Sequence, residues 1–232
     1  MYSAIARNKR NTWFILGAFI LLLGAVGVLA GWLAGNNWWI TAFILVFAAG
    51  YATFQYFFAD REAIAMAGAT PVSQTDAPRY YRLVENLCIA TGTPMPRLYV
   101  VEDPAPNAFA TGRKPEEASI TVTTGLFELM SDRELEGVLG HELGHIRNYD
   151  IRLSTVALAI AGLIAFLAQF STRMMFWGGG GRRRKSDNSG GAGIILLILS
   201  LLILVLSPFV ATIIRLALSR NREYLADASA VE

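Results

Sequence analysis

A chain of 232 residues that is 54% hydrophobic and only 16% charged reads as a membrane protein, because so little polar sequence cannot cover so much apolar side chain. The formal net charge of +2 points to no acidic partner, and the single Cys88 excludes an intramolecular disulfide.

The apolar residues fall in blocks. Trp13 to Ala34 is an uncharged run long enough to cross a bilayer core of about 30 Å. The short Gly35-Asn36-Asn37 turn joins it to a second run, Trp38 to Phe58, with Trp38 and Trp39 at interfacial depth. A run this long, followed so soon by another, is not a cleaved signal peptide. Residues 1–58 are therefore expected to form two transmembrane helices.

Residues 59–150 form the one long polar segment. Asp76-Ala77-Pro78 opens a helix whose apolar face includes Leu83, Leu87 and Cys88 and which ends near Gly92. Thr93-Pro94-Met95-Pro96 breaks it. Leu98–Val101 reads as a buried strand. Asn107–Thr111 and Ser119–Thr124 read as two more, joined by a polar turn over 112–117. An edge strand there can bind an extended peptide by backbone pairing.

Ser131 followed by Glu134 is a capping box, and Leu135, Val138 and Leu139 continue it as an apolar stripe at helical spacing. The predicted helix, about 132–148, carries His141-Glu142-Leu143-Gly144-His145 and with it the only two histidines of the chain. Positions four apart lie on one helix face, so both imidazoles can close on a single zinc ion. Glu142 then reaches a water at that ion as general base. Gly137, Gly140 and Gly144 weaken the helix but let other backbone pack close to the metal.

Two further apolar segments follow: Leu153–Phe170, extended toward Trp177, and Ile194–Leu206, continuing to Leu218 with Pro208 inside it. Between them lies a flexible linker, 178–191, containing Arg182-Arg-Arg-Lys185. That basic cluster suits anionic headgroups, whereas four charges in a membrane hairpin make a poor groove binder, so no nucleic-acid role is expected. Residues 151–218 are read as a transmembrane hairpin and 219–232 as a final helix. The fold class is thus membrane α-helical, with about four transmembrane helices, and an α+β zincin-like metalloprotease domain carrying a small β-sheet.

A catalytic zinc site needs a third protein ligand and an open position. With no third histidine, that ligand is a carboxylate. Glu223 and Asp227 lie four apart near the C-terminus and share a helix face. Glu223 can bind zinc while Asp227 accepts the outer N–H of a ligand histidine. Glu128, Glu134 and Glu136 are the rivals, the last two awkwardly placed on the histidine helix itself. A shared zinc puts the histidines and Glu223 on one side of the membrane, separated by an even number of crossings. Lys and Arg near the spans number nine on that side (Arg7, Lys9, Arg10, Arg61, Arg147, Arg152, Arg215, Arg220, Arg222) and five on the other (Arg173 and 182–185). The balance places the N-terminus and the catalytic domain in the cytoplasm.

In combination, the paired N-terminal spans, the stretches Gly92–Pro96 and Pro106–Gly112, Val138–His145 and Glu223–Asp227 resemble the HtpX family of membrane zinc metalloproteases, relatives of the CAAX prenyl endopeptidases. The resemblance covers nearly the whole chain. It implies a zinc metalloendopeptidase of the bacterial inner membrane with a cytoplasmic site, acting in stress response and protein quality control. Its partners would be the lipid bilayer and polypeptide substrates, chiefly damaged or misfolded membrane proteins. It also implies one Zn2+ per chain at His141, His145 and Glu223, with Glu142 catalytic and Asn107 on the substrate-side strand. Members usually continue past the third ligand, where a further histidine and an arginine approach the site, so the chain reads as truncated at Glu232. If that end is genuine, the alternative is a catalytically silent zinc-binding scaffold or chaperone. A channel subunit is disfavoured, because the spans hold almost no ionisable residues.

Overall fold

A computed structural model describes residues 2–178 and Ala226. They are mostly helical, with one small sheet, and fall into two compact units. The first holds 2–12, 56–158 and Ala226; the second holds 13–55 and 159–178. The expected fourth apolar segment, the 179–191 part of the linker, Glu223 and Asp227 lie outside the described residues.

Helices α1 (Tyr2–Leu33) and α2 (Trp38–Met66) are both long and apolar enough to cross a membrane. The turn between them needs left-handed backbone at Gly35 and Asn36, with φ of 79° and 65°, which glycine and asparagine adopt most readily. Within the second unit the two helices approach through glycines. A Cβ on Gly31 would lie 2.9 Å from the Asn37 carbonyl oxygen, and one on Gly27 3.2 Å from Cβ of Ile44. The Thr41 hydroxyl donates to the Gly27 carbonyl at 2.9 Å. Such small-residue seams bring helices together where lipid, not water, surrounds them. Leu21, Trp32, Trp38, Trp39, Phe43 and Val46 stay exposed, unlike the apolar residues of a soluble core helix.

In the first unit, α3 (Pro78–Thr91) begins with proline and ends at Gly92, φ 64°, as predicted. Four strands follow the order β1-β2-β4-β3: β1 (Thr70–Pro71), β2 (Arg97–Val101), β3 (Ala108–Thr111) and β4 (Ser119–Thr123). The three expected strands are present. β4 is buried throughout, parallel to β2 (Leu98 opposite Ile120) and antiparallel to β3 (Ala110 opposite Ile120). Two-residue β1, a 3-10 turn at Pro115–Glu117 and helix α4 (Thr124–Leu129) were not read from the sequence. Thr124 opens α4 instead of ending the strand, because Gly125 packs against Pro104. A Cβ there would fall 2.1 Å from the Pro104 carbonyl oxygen.

Helix α5 (Asp132–Arg147) lies against this sheet. Glu134 accepts hydrogen bonds from the Ser131 backbone N–H (2.9 Å) and hydroxyl (2.7 Å), so the capping box forms. Leu135, Leu139, Leu143 and Ile146 are buried with Tyr80, Val84, Ile120 and Val122 in one core. That spacing turns the face bearing Glu134, Gly137 and His141 outward. The third apolar segment is helix α6 (Asp150–Gly178).

A candidate metallopeptidase site on helix α5

His141 and His145 stand one turn apart on α5, their rings nearly perpendicular at 88° and their centroids 4.7 Å apart. Their Nε2 atoms approach to 3.1 Å. Two imidazoles bound to one tetrahedral zinc at 2.0–2.1 Å would hold those atoms about 3.3 Å apart. The pair therefore fits a shared ion. The other nitrogen of His145, Nδ1, lies 3.2 Å from Oδ2 of Asp150. With Nδ1 as the donor to that carboxylate, the Nε2 lone pair would face a bound ion.

Asp150 was not singled out by sequence. Helix α5 ends at Arg147, and Tyr149 takes left-handed backbone, φ 58°, which folds Asp150 back beside His145. Asn8, from α1, donates its side-chain amide both to the Asp150 carboxylate and to the Asn148 carbonyl, the latter at 3.0 Å. All three side chains are at most 3% exposed. The available signal was a lone aspartate five residues beyond the second histidine, at the head of an apolar run.

Glu142 lies between the histidines, partly exposed. The nearby hydroxyl of Tyr80 is fully buried and donates to the Ile120 carbonyl at 3.0 Å. Burial, and then the Glu142 carboxylate, hold its pKa well above the usual phenol value, so Tyr80 remains a neutral donor. A cavity of about 410 Å³ lined by Glu134, Gly137, Val138 and His141 opens along the outer face of α5. Asn107 is exposed at the head of edge strand β3, which packs on α5. Its backbone is fixed there: its N–H donates to the Thr123 hydroxyl at 2.8 Å, and its carbonyl accepts the Thr123 N–H at 3.0 Å.

Among the described residues no three His, Cys, Asp or Glu side chains converge as metal ligands. The rivals Glu128 and Glu136 are exposed, and Glu134 is engaged in its cap. Ala226, fully buried and helical, brings other backbone to the motif. A Cβ on Gly144 would lie 2.9 Å from the Ala226 carbonyl oxygen and 3.0 Å from its Cα. The close approach expected of the motif glycines therefore occurs at Gly144.

Residues 74–232 match peptidase family M48. A protease HtpX homolog of Tropheryma whipplei is 49% identical over 229 residues, which is 99% of this chain and 76% of that protein. Protease HtpX homologs of Streptococcus gordonii and Streptococcus thermophilus are 47% and 49% identical, each across all of this chain and 78% and 79% of their own length. Among solved structures, S. mikatae Ste24p aligns over the whole chain and 56% of its own, with 20% identity and a TM-score of 0.45.

Proposed function

The chain belongs to peptidase family M48, and on that premise we propose that it is a zinc-dependent endopeptidase of a bacterial inner membrane. Its substrates would be damaged or misfolded membrane proteins, cleaved on the cytoplasmic side. The observation that carries this reading is the 3.1 Å convergence of His141 and His145 Nε2 with Asp150 behind His145. Glu223 is proposed as the third ligand, because Ala226, three residues further on, packs against Gly144 beside His145. The aliphatic exposure of α1 and α2 supports the bilayer.

When bound, zinc would polarise the scissile carbonyl and acidify the attacking water. The chain's own residues do the rest. His141 and His145 would hold the ion through Nε2, and Asp150 orients the second ring through Nδ1. Glu142 accepts the proton of the attacking water and delivers it to the leaving amine. The open groove beside His141 admits an extended peptide, and β3, with Asn107 at its head and at the edge of the sheet among the described residues, offers backbone for it to lie along.

The test is cleavage of casein by detergent-purified chain, before and after chelation and after zinc is restored. Activity should vanish and return with the metal. Glu142→Gln should keep its zinc by elemental analysis and lose at least about a hundredfold in turnover. Bound zinc with no cleavage by the unmutated chain would overturn the protease reading.

A further inference from the structure

A second cavity, of about 280 Å³, lies in the first unit and is lined by Lys9, Tyr56, Arg113, Lys114, Tyr149 and Arg152. Four of the six are cations. The carboxylate paired with them among the described residues is Glu117, which takes Arg113 at 2.7 Å and Lys114 at 3.2 Å. The other cations are held by aromatic faces. Lys9 Nζ sits 4.1 Å from the Tyr149 ring centroid, and the Arg152 guanidinium 4.8 Å from that of Tyr56. Such contacts fix a cation without neutralising it.

Arg152 is the strongest sign of a ligand. It is 9% exposed and donates through Nη2 to the Tyr56 hydroxyl. Among the described residues its buried Nε has no hydrogen-bond partner, although a buried guanidinium ordinarily satisfies its donors. A fixed, desolvated arginine whose Nε–H no described residue takes, beside two lysines, is the chemistry that recognises a phosphate oxyanion.

Position along the chain identifies the phosphate's source. Lys9 lies four residues before the uncharged run that starts at Trp13. Tyr56 lies two before the end of the second run, and Arg152 immediately precedes the third at Leu153. The polar ends of three apolar segments thus meet in one cavity. Tyrosine, lysine and arginine at such ends sit at headgroup depth. We propose that this cavity binds the phosphate of an anionic phospholipid headgroup. The proposal rests on the bilayer reading above but not on the protease reading.

The test is equilibrium binding of phosphatidylglycerol, phosphatidylcholine and inorganic phosphate to the full chain in neutral detergent. Phosphatidylglycerol should bind saturably and at least tenfold tighter than phosphatidylcholine, and millimolar inorganic phosphate should compete weakly. Each lysine near an anionic headgroup is worth roughly fivefold, so Lys9→Gln with Lys114→Gln should weaken binding about 5- to 30-fold. Arg82→Gln with Arg133→Gln, two exposed cations off the cavity, should leave it unchanged. Arg152→Gln should weaken it as well; where that variant fails to fold, the lysine pair decides. Equal binding of the two lipids, wild-type binding by the lysine pair, equal loss in the control pair, or phosphate binding without phosphatidylglycerol would each overturn the site. Alkaline extraction of cell membranes separates the two claims: a chain that stays in the pellet while showing no lipid preference sinks this site alone.

Discussion

Nδ1 of His145 lies 3.2 Å from Oδ2 of Asp150, although five residues separate them and a continuous helix would carry position 150 to another face. The left-handed backbone of Tyr149 makes the contact. It breaks the helix between α5 and α6, and Asn8 then fixes the carboxylate from the N-terminal helix. The orientation of one proposed zinc ligand therefore depends on three segments of the chain.

Asp150→Asn should weaken zinc affinity about 10- to 100-fold, the usual effect of removing a ligand's outer partner. Asn8→Ala should act in the same direction but less, since it frees the carboxylate without deleting it. Competition titration with a chromophoric chelator measures both. Wild-type affinity in Asp150→Asn would show that His145 is oriented by something else.

Gly144 is the point where α5 meets the backbone of Ala226. An added Cβ would fall 2.9 Å from a carbonyl oxygen that has no flexible side chain to yield. Gly144→Val should therefore displace the segment around Ala226 and lower both zinc occupancy and thermal stability, by more than Gly144→Ala. Gly137→Ala is the contrasting case: no described residue lies within 4 Å of a Cβ there, and alanine favours the helix, so stability should be kept or raised. Thermal unfolding with zinc content on the same samples distinguishes them.

Cys88 is held unreactive. Burial, and then the nearby Glu85 carboxylate, push its thiol up to about 11. At pH 8 roughly one thiol in a thousand would be ionised in the native state, against about one in ten unfolded, where the thiol has its ordinary value of 9.0. Alkylation should then run on the order of a hundredfold slower in native protein than in denaturant. The native state holds this proton more tightly than the unfolded chain. Its contribution to stability is thus fully present below about pH 9 and is lost as pH rises toward 11. Equal alkylation rates for folded and unfolded protein would refute this.

The proposed cytoplasmic orientation is open to thiol labelling. In a Cys88→Ser background, Asn36→Cys should react with a membrane-impermeant reagent on intact cells, and Ser3→Cys should not. The reverse pattern would invert the protein and move catalysis outside the cytoplasm.

The sequence alone determined what depends on neighbours along the chain. The two apolar helices, the capping box at Ser131 and Glu134, the Pro78 start and Gly92 end of α3, and the histidine spacing all follow from local periodicity and backbone chemistry. The i, i+4 offset of His141 and His145 is enough to bring them onto one face once the helix forms. Tertiary structure decided what depends on distant segments. It set β4 between β2 and β3, turned Thr124 into a helix start by packing Gly125 on Pro104, and chose Asp150 as the partner of His145. It also drew Lys9, Arg113 and Arg152 into one cavity. Spacing alone decides none of these, because each is fixed by which surfaces must be buried together when the chain closes on its core.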